Sequence, residues 1–148
     1  MSHRNRWFAA VLLLAGVGVA GCTSGTASSE SAGEEPATVT AIDSSDELHR
    51  IQLTADAAKR IGLTTDTVRT LPSNKQLAVA VGAVLYDKDG ATWVYVRTGP
   101  LTFQREQIAI SRVAGDVAVL RSGPARGTVV ANVGVAGLRG AEEGVPGE

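Results

Sequence analysis

The chain has 148 residues, 14 Lys+Arg against 15 Asp+Glu, a net charge of −1, 44% hydrophobic residues and only 4% aromatic residues. This length suits one domain and is short for two of ordinary size. The near-neutral charge provides no cation surplus to displace counterions from nucleic acid, and the apolar fraction excludes wholesale disorder. A single Cys excludes an intramolecular disulfide framework and any all-Cys metal site.

Residues 1–21 read as an export signal. Arg4 and Arg6 form a cationic start, Trp7 to Val19 is an apolar run, and Val19-Ala20-Gly21-Cys22 closes it with small residues. The run is short for a span of about 30 Å of hydrocarbon, and Gly16, Gly18 and Gly21 weaken its helical half. Val19, Ala20 and Gly21 before Cys22 resemble the lipobox of bacterial lipoproteins. That resemblance implies cleavage before Cys22 and acylation of its thiol, palmitate among the expected chains. Two or more acyl chains anchor a protein stably where one does not. Loss of Arg4 and Arg6 would leave 12 cations against 15 anions, an acidic mature chain with no charge-based reason to bind lipid head groups.

Residues 22–37 follow as the lipidated Cys and a Ser/Gly/Glu-rich tether without large apolar residues, which cannot offset the entropy of ordering. Residues 38–138 are expected to form the folded domain and 139–148 a frayed tail. Thr38–Ile42 and His49–Leu53 alternate in the strand period around a turn at Asp43-Ser44-Ser45-Asp46. Thr54 to Gly62 carries a Thr cap, Asp56 early, Lys59 and Arg60 late, and a terminal Gly, which predicts a two-turn helix.

Strands are expected over Leu63–Leu71, over Leu77–Tyr86 as one long element, and over Ala91–Arg97 after an Asp87-Lys88-Asp89-Gly90 turn. Pro72-Ser73-Asn74 turns the chain between the first two. In Ala91–Arg97, Trp93 and Tyr95 share one face and Val94 and Val96 the other, so both faces require cover. In Leu101–Ser111 the apolar phase moves from odd positions (Leu101, Phe103) to even ones (Ile108, Ile110), which predicts a β-bulge near Arg105–Gln107. Val117–Leu120, Thr128–Val133 and Val135–Leu138 complete the strands. About seven or more short strands with one short helix give a mainly β fold, a small β-barrel or sandwich with a core of Val, Ile, Leu and Ala and modest stability.

The segment Leu53-Thr54-Ala55-Asp56-Ala57-Ala58-Lys59-Arg60-Ile61-Gly62-Leu63-Thr64-Thr65-Asp66-Thr67-Val68 resembles part of the periplasmic adaptor subunits of RND-type efflux systems, the HlyD-like membrane fusion proteins. Ala83 to Val96 is similar to the hairpin opening the membrane-proximal domain of those adaptors. Phe103-Gln104-Arg105-Glu106 with Ile108-Ala109-Ile110 fits the next strand. Gly115-Asp116-Val117, Gly123 and Gly127-Thr128-Val129-Val130 fit the turns after it. The family's Pro before its hairpin strand is missing from Val79-Ala80-Val81-Gly82, its Gly-Leu turn is Gly123-Pro124, and Thr128 stands for its acidic residue. There is no heptad pattern or room for lipoyl halves and a helical hairpin. The resemblance therefore implies a truncated adaptor: a barrel plus membrane-proximal-like domain that docks on an inner-membrane efflux pump or permease, with a homo-oligomer as a further partner.

No chemical constellation emerges. His49 has no second His nearby outside the signal, and Met1 is the only Met, so no metal site and no cofactor are expected. Asp87–Gly90 lacks the other oxygen ligands of a calcium loop. Gly134 to Gly140 suggests a phosphate loop superficially, but no strand–loop–helix context is expected around it. Glu34-Glu35 and Glu142-Glu143 fall in segments expected to be flexible, which suits no acid–base pair. An enzyme is not expected. Trp93, Tyr95 and Phe103 are core candidates and also the candidate partner-contact residues. The expected role is a lipid-anchored module on the extracytoplasmic (periplasmic) face of the cell membrane, acting as an accessory of a transport complex. The alternative is a solitary envelope lipoprotein that binds a small ligand or cell-wall component.

Overall fold

The structure is a computed structural model and describes residues 35–42, 48–73 and 75–144. The signal, Cys22, nearly all of the tether, the 43–46 turn and the last residues of the tail lie outside the described residues.

The fold is mainly β, as its alternating patterns require. Strands β1 (Ala37–Ala41) and β2 (His49–Leu53) form an antiparallel hairpin, followed by α1 (Ala55–Arg60). Next come β3 (Thr64–Thr67), β4 (Arg69–Thr70), β5 (Leu77–Ala80), a 3-10 turn at Val81–Ala83 and β6 (Leu85–Tyr86). The long hairpin of β7 (Thr92–Gly99) and β8 (Thr102–Ala114) leads to β9 (Val117–Ser122), β10 (Val129–Val133) and α2 (Val135–Glu142). The strand order is β3-β10-β7-β8-β9-β5-β4. β3 and β4 are one stretch of chain broken only at Val68, whose N–H donates to Thr128 O (2.9 Å) and whose carbonyl accepts from Gly127 N (2.8 Å). The order therefore begins and ends on the same stretch, making a nearly closed barrel that leaves little free edge.

Two cores lie on opposite faces of the same strands. The barrel interior holds Val68, Val79, Ala83, Val94, Val96, Ile108, Ala118, Leu120 and Val130. The outer core holds Ile51, Leu53, Ala57, Ala58, Tyr95, Phe103, Ala131, Val135 and Leu138; α1 and α2 pack on it, and β2 extends the sheet beside β8. β7 sends Val94 and Val96 inward and Tyr95 outward; β10 sends Val130 inward and Ala131 outward. Small branched side chains suit the narrow barrel, while the aromatic bulk goes outside it.

This arrangement corrects the expected bulge. The β7–β8 register runs unbroken from Thr92↔Ile108 to Arg97↔Phe103, so nothing slips at Arg105–Gln107. The apolar phase changes because the covered face changes. Phe103 packs on the outer face beside Ile51, its cross-strand neighbour on β2, and Ile108 packs into the barrel. The irregularities of β8 lie later, at 109–112 opposite β9.

Two further expectations are corrected. The long strand Leu77–Tyr86 is broken by the 3-10 turn, where Val81 N donates to Asp116 O (2.9 Å) and the chain passes from β5 to β6, which pairs with β7. Gly82 is needed there because a Cβ would lie 2.9 Å from the backbone oxygen of Asn132. Gly82→Ala should therefore cost about 1–3 kcal/mol in a urea melt, since backbone cannot swing aside as a side chain can. Val135–Leu138 is not a strand, and the tail is not frayed from Arg139. Gly134 takes a left-handed conformation (φ 83) and starts α2, which buries Val135, Leu138 and Glu142 at helical spacing. The packed body thus extends past residue 138 to Glu142.

The local signals of α1 hold. Ala57 N donates to Thr54 Oγ1 (3.2 Å) to cap α1, and Gly62 takes the left-handed stop (φ 61). Leu101 is an exception at φ 50, a conformation that strains a residue carrying a Cβ. It is held because its carbonyl accepts from Leu53 N (2.9 Å) and its side chain packs on the outer core.

Candidate apolar groove and its buried carboxylate

A groove of about 620 Å³ opens where β1, the end of β2, α1 and α2 meet. Val39, Leu53, Ala57 and Ile61 line one side, and the small residues Ala136, Gly137, Gly140, Ala141 and Gly144 of the α2 segment line the other. Among the described residues only Glu35 and Arg60, both exposed, bring charge to it. Gly137 lets α2 approach α1: a Cβ there would stand 2.7 Å from Cγ2 of Ile61. The volume lies within the range of about 300–1,000 Å³ of pockets that take small ligands.

The same helix, α2, carries a buried carboxylate that does not line the groove. Glu142 has a side chain only 3% exposed. Tyr95 Oη donates to its Oε2 (2.7 Å) and Arg105 Nε to its Oε1 (2.8 Å). Arg139 Nη1 stands 3.8 Å from Oε2 and His49 Nδ1 3.6 Å from Oε1. Burial first, and then donation to this carboxylate, push the Tyr95 phenol far above its ordinary value, so it stays a donor throughout the neutral range. The Arg105 guanidinium also lies over the Trp93 ring, 5.0 Å from its centroid. Trp93 Nε1 in turn donates to Asp87 Oδ2 (2.9 Å). That bond, with two from backbone N–H groups of Ala91 and Asp89, holds the Asp87 carboxyl below its usual value. Among the described residues no buried side-chain polar atom lacks a partner.

The sequence-derived site residues separate clearly here. Tyr95 and Phe103 are 0% and 1% exposed, so they cannot meet a partner; they anchor the outer core. Trp93 is half-buried and committed to Arg105 and Asp87, so it closes the β6–β7 turn rather than standing as a free anchor. Asp87–Gly90 is the expected hairpin turn, with Gly90 at φ 81. His49 lies beside Glu142 rather than alone on a strand edge. Glu142 is fixed in the core and not in a flexible segment, while Glu143 pairs at the surface with Arg139 (2.7 Å). A helix does follow Gly134, contrary to expectation, but its first turn is filled by protein: a Cβ on Gly134 would stand 3.1 Å from Ile61 O. Val19, Ala20, Gly21 and Cys22 lie outside the described residues. Among the described residues no His, Cys, Asp or Glu cluster could hold a metal, and no helix is long and apolar enough to cross a membrane.

Glu106 is a second displaced carboxyl. It pairs opposite Val94 and so shares the barrel-facing side of β8, where partial burial raises its pKa. A carboxyl whose folded value exceeds its unfolded one weakens the fold as it ionises. The penalty is absent below the unfolded value of about 4.3 and grows as pH rises through the folded value. Glu106→Gln should therefore give a small rise in Tm at about pH 7.5 and none at about pH 4, measured by thermal melts across that range.

The groove itself was not read from the sequence. Its signal was the small-residue series 136, 137, 140, 141 and 144, which marks one helical face only once residues 135–142 are taken as a helix. No protein-family model, curated protein or solved structure matches this chain.

Proposed function

We propose that the protein is a membrane-anchored extracytoplasmic lipoprotein that works by binding and not by catalysis, as an accessory, adaptor-like module of an efflux complex. Acylated Cys22 would hold it to membrane lipid, and an inner-membrane pump or permease would be its partner. The observation that carries this reading is positional. Glu35, thirteen residues after Cys22 in the sequence, lines the one apolar groove described above. An anchor on Cys22 would thus keep the contact face at a root-mean-square distance of roughly 20 Å from the bilayer and raise its effective concentration there. Affinity capture from solubilised membranes is the test. Stoichiometric recovery of a transporter subunit supports the reading, and recovery of this chain alone, with or without cross-linking, overturns it.

The groove favours a second reading, a solitary envelope lipoprotein that takes a small apolar ligand. Its volume and lining suit one. A thermal-shift screen distinguishes the two, since a ligand that binds only the folded chain raises Tm by mass action.

A further inference from the structure

The groove is built for aliphatic chemistry. Apart from Glu35 and Arg60, every lining residue among the described ones is an apolar side chain, Pro or Gly. Leu53 and Ala57 on its floor are themselves buried members of the outer core, so the groove is continuous with that core and not a surface scratch. Its α2 wall is made of Ala and Gly, which leaves open the width that larger side chains would fill. Val39, which lines it from β1, is an exposed large hydrophobic.

The occupant is indicated by where the chain leads. Glu35 and Pro36 line the groove, and Thr54 N and Thr54 Oγ1 both donate to Pro36 O (3.1 and 3.4 Å), which pins the chain at that point. A Gly/Ser-rich connection of thirteen residues has a root-mean-square span of roughly 20 Å. Whatever is attached at residue 22 therefore meets this groove at a high effective concentration. We propose that, when the protein is off the bilayer, the groove shelters an acyl chain carried by its own Cys22. This rests on the lipid-anchor reading above. In the membrane the bilayer serves that chain equally well. Away from it, every methylene transferred from water into the groove is favourable, so the device lowers the cost of leaving or crossing between lipid surfaces and keeps the free protein monomeric.

The test uses the full chain expressed in a bacterium fed a diazirine-bearing long-chain fatty acid. The purified protein is stripped of detergent, irradiated and digested. Mass spectrometry of the N-terminal peptide is read first, and an unmodified Cys22 removes the anchor reading and this inference together. With Cys22 acylated, the expected result is cross-links within one chain to the peptides of residues 53–61 and 136–144. In Ala136→Trp, an exposed position whose new side chain fills the groove, their yield should fall about tenfold while circular dichroism stays unchanged. Three results overturn the inference and leave the anchor reading standing: cross-links only to a second copy or to residual lipid, groove cross-links that Ala136→Trp does not reduce, or groove labelling that persists in Cys22→Ser, which would make an external amphiphile the occupant.

Discussion

Glu142→Ala should lower the stability of the domain by about 3–5 kcal/mol, seen as a lower urea midpoint with unchanged slope. The carboxylate is 3% exposed and Arg105, its closest cationic partner, has a side chain 12% exposed. Removing Glu142 leaves that guanidinium charged beneath α2 without the oxygen that accepts from its Nε, and leaves Tyr95 Oη without its acceptor. The effect is tertiary. A carboxylate in the last turn of a helix opposes the helix dipole, so Glu142 is unfavourable to α2 in isolation and is retained there by Tyr95 and Arg105. Tyr95→Phe removes one donor and leaves the charge pair, so its loss should be smaller, about 1–2 kcal/mol. Glu142→Leu combined with Arg105→Met should recover much of the loss, because replacing both members of a buried pair leaves no stranded charge. A Glu142→Ala loss below about 1 kcal/mol would mean that water reaches Arg105 and that the pair behaves as a surface one.

Phe103→Ala is the second large expectation, again about 3–5 kcal/mol. Phe103 is 1% exposed and pairs across β8 with Ile51 of β2, at the seam where the outer core meets the barrel wall. Its loss opens a cavity in the outer core beside Ile51 that β8, hydrogen-bonded to β7 on one side and β2 on the other, cannot close. The consequence should be uneven. Val94, Val96 and Ile108 line the opposite face and lose nothing directly. Amide hydrogen exchange should therefore quicken in β1, β2 and α2 more than in β9 and β10. Equal acceleration throughout would mean that the two cores unfold as one cooperative unit, with no layer able to open by itself.

The groove and the carboxylate depend on one element, α2, and reading that element correctly required the tertiary structure. Val135-Ala136-Gly137-Leu138 is short, apolar and Gly-rich, and no local signal in it decides between strand and helix. The helix is selected by what it covers: Leu138 reaches the outer core and Glu142 reaches Tyr95 and Arg105. The phase change in β8 has the same origin. A sequence read with one core in mind turns Phe103 and Ile108 into a slip, whereas two cores on two faces make both positions regular.

What the sequence determined by itself is what short-range chemistry controls. Thr54 caps α1, Gly62 ends it, Asp87 and Gly90 make the hairpin turn, and the alternation through Trp93, Val94, Tyr95 and Val96 sets the two faces of β7. Each depends on neighbours a few residues apart, so each is legible in a window. The near-closure of the barrel at Val68, the burial of Glu142, and the groove between α1 and α2 join residues far apart in the chain, Tyr95 and Glu142 being 47 positions apart. Only the fold brings those groups within reach, because their pairing energy arises from burial that no segment achieves alone.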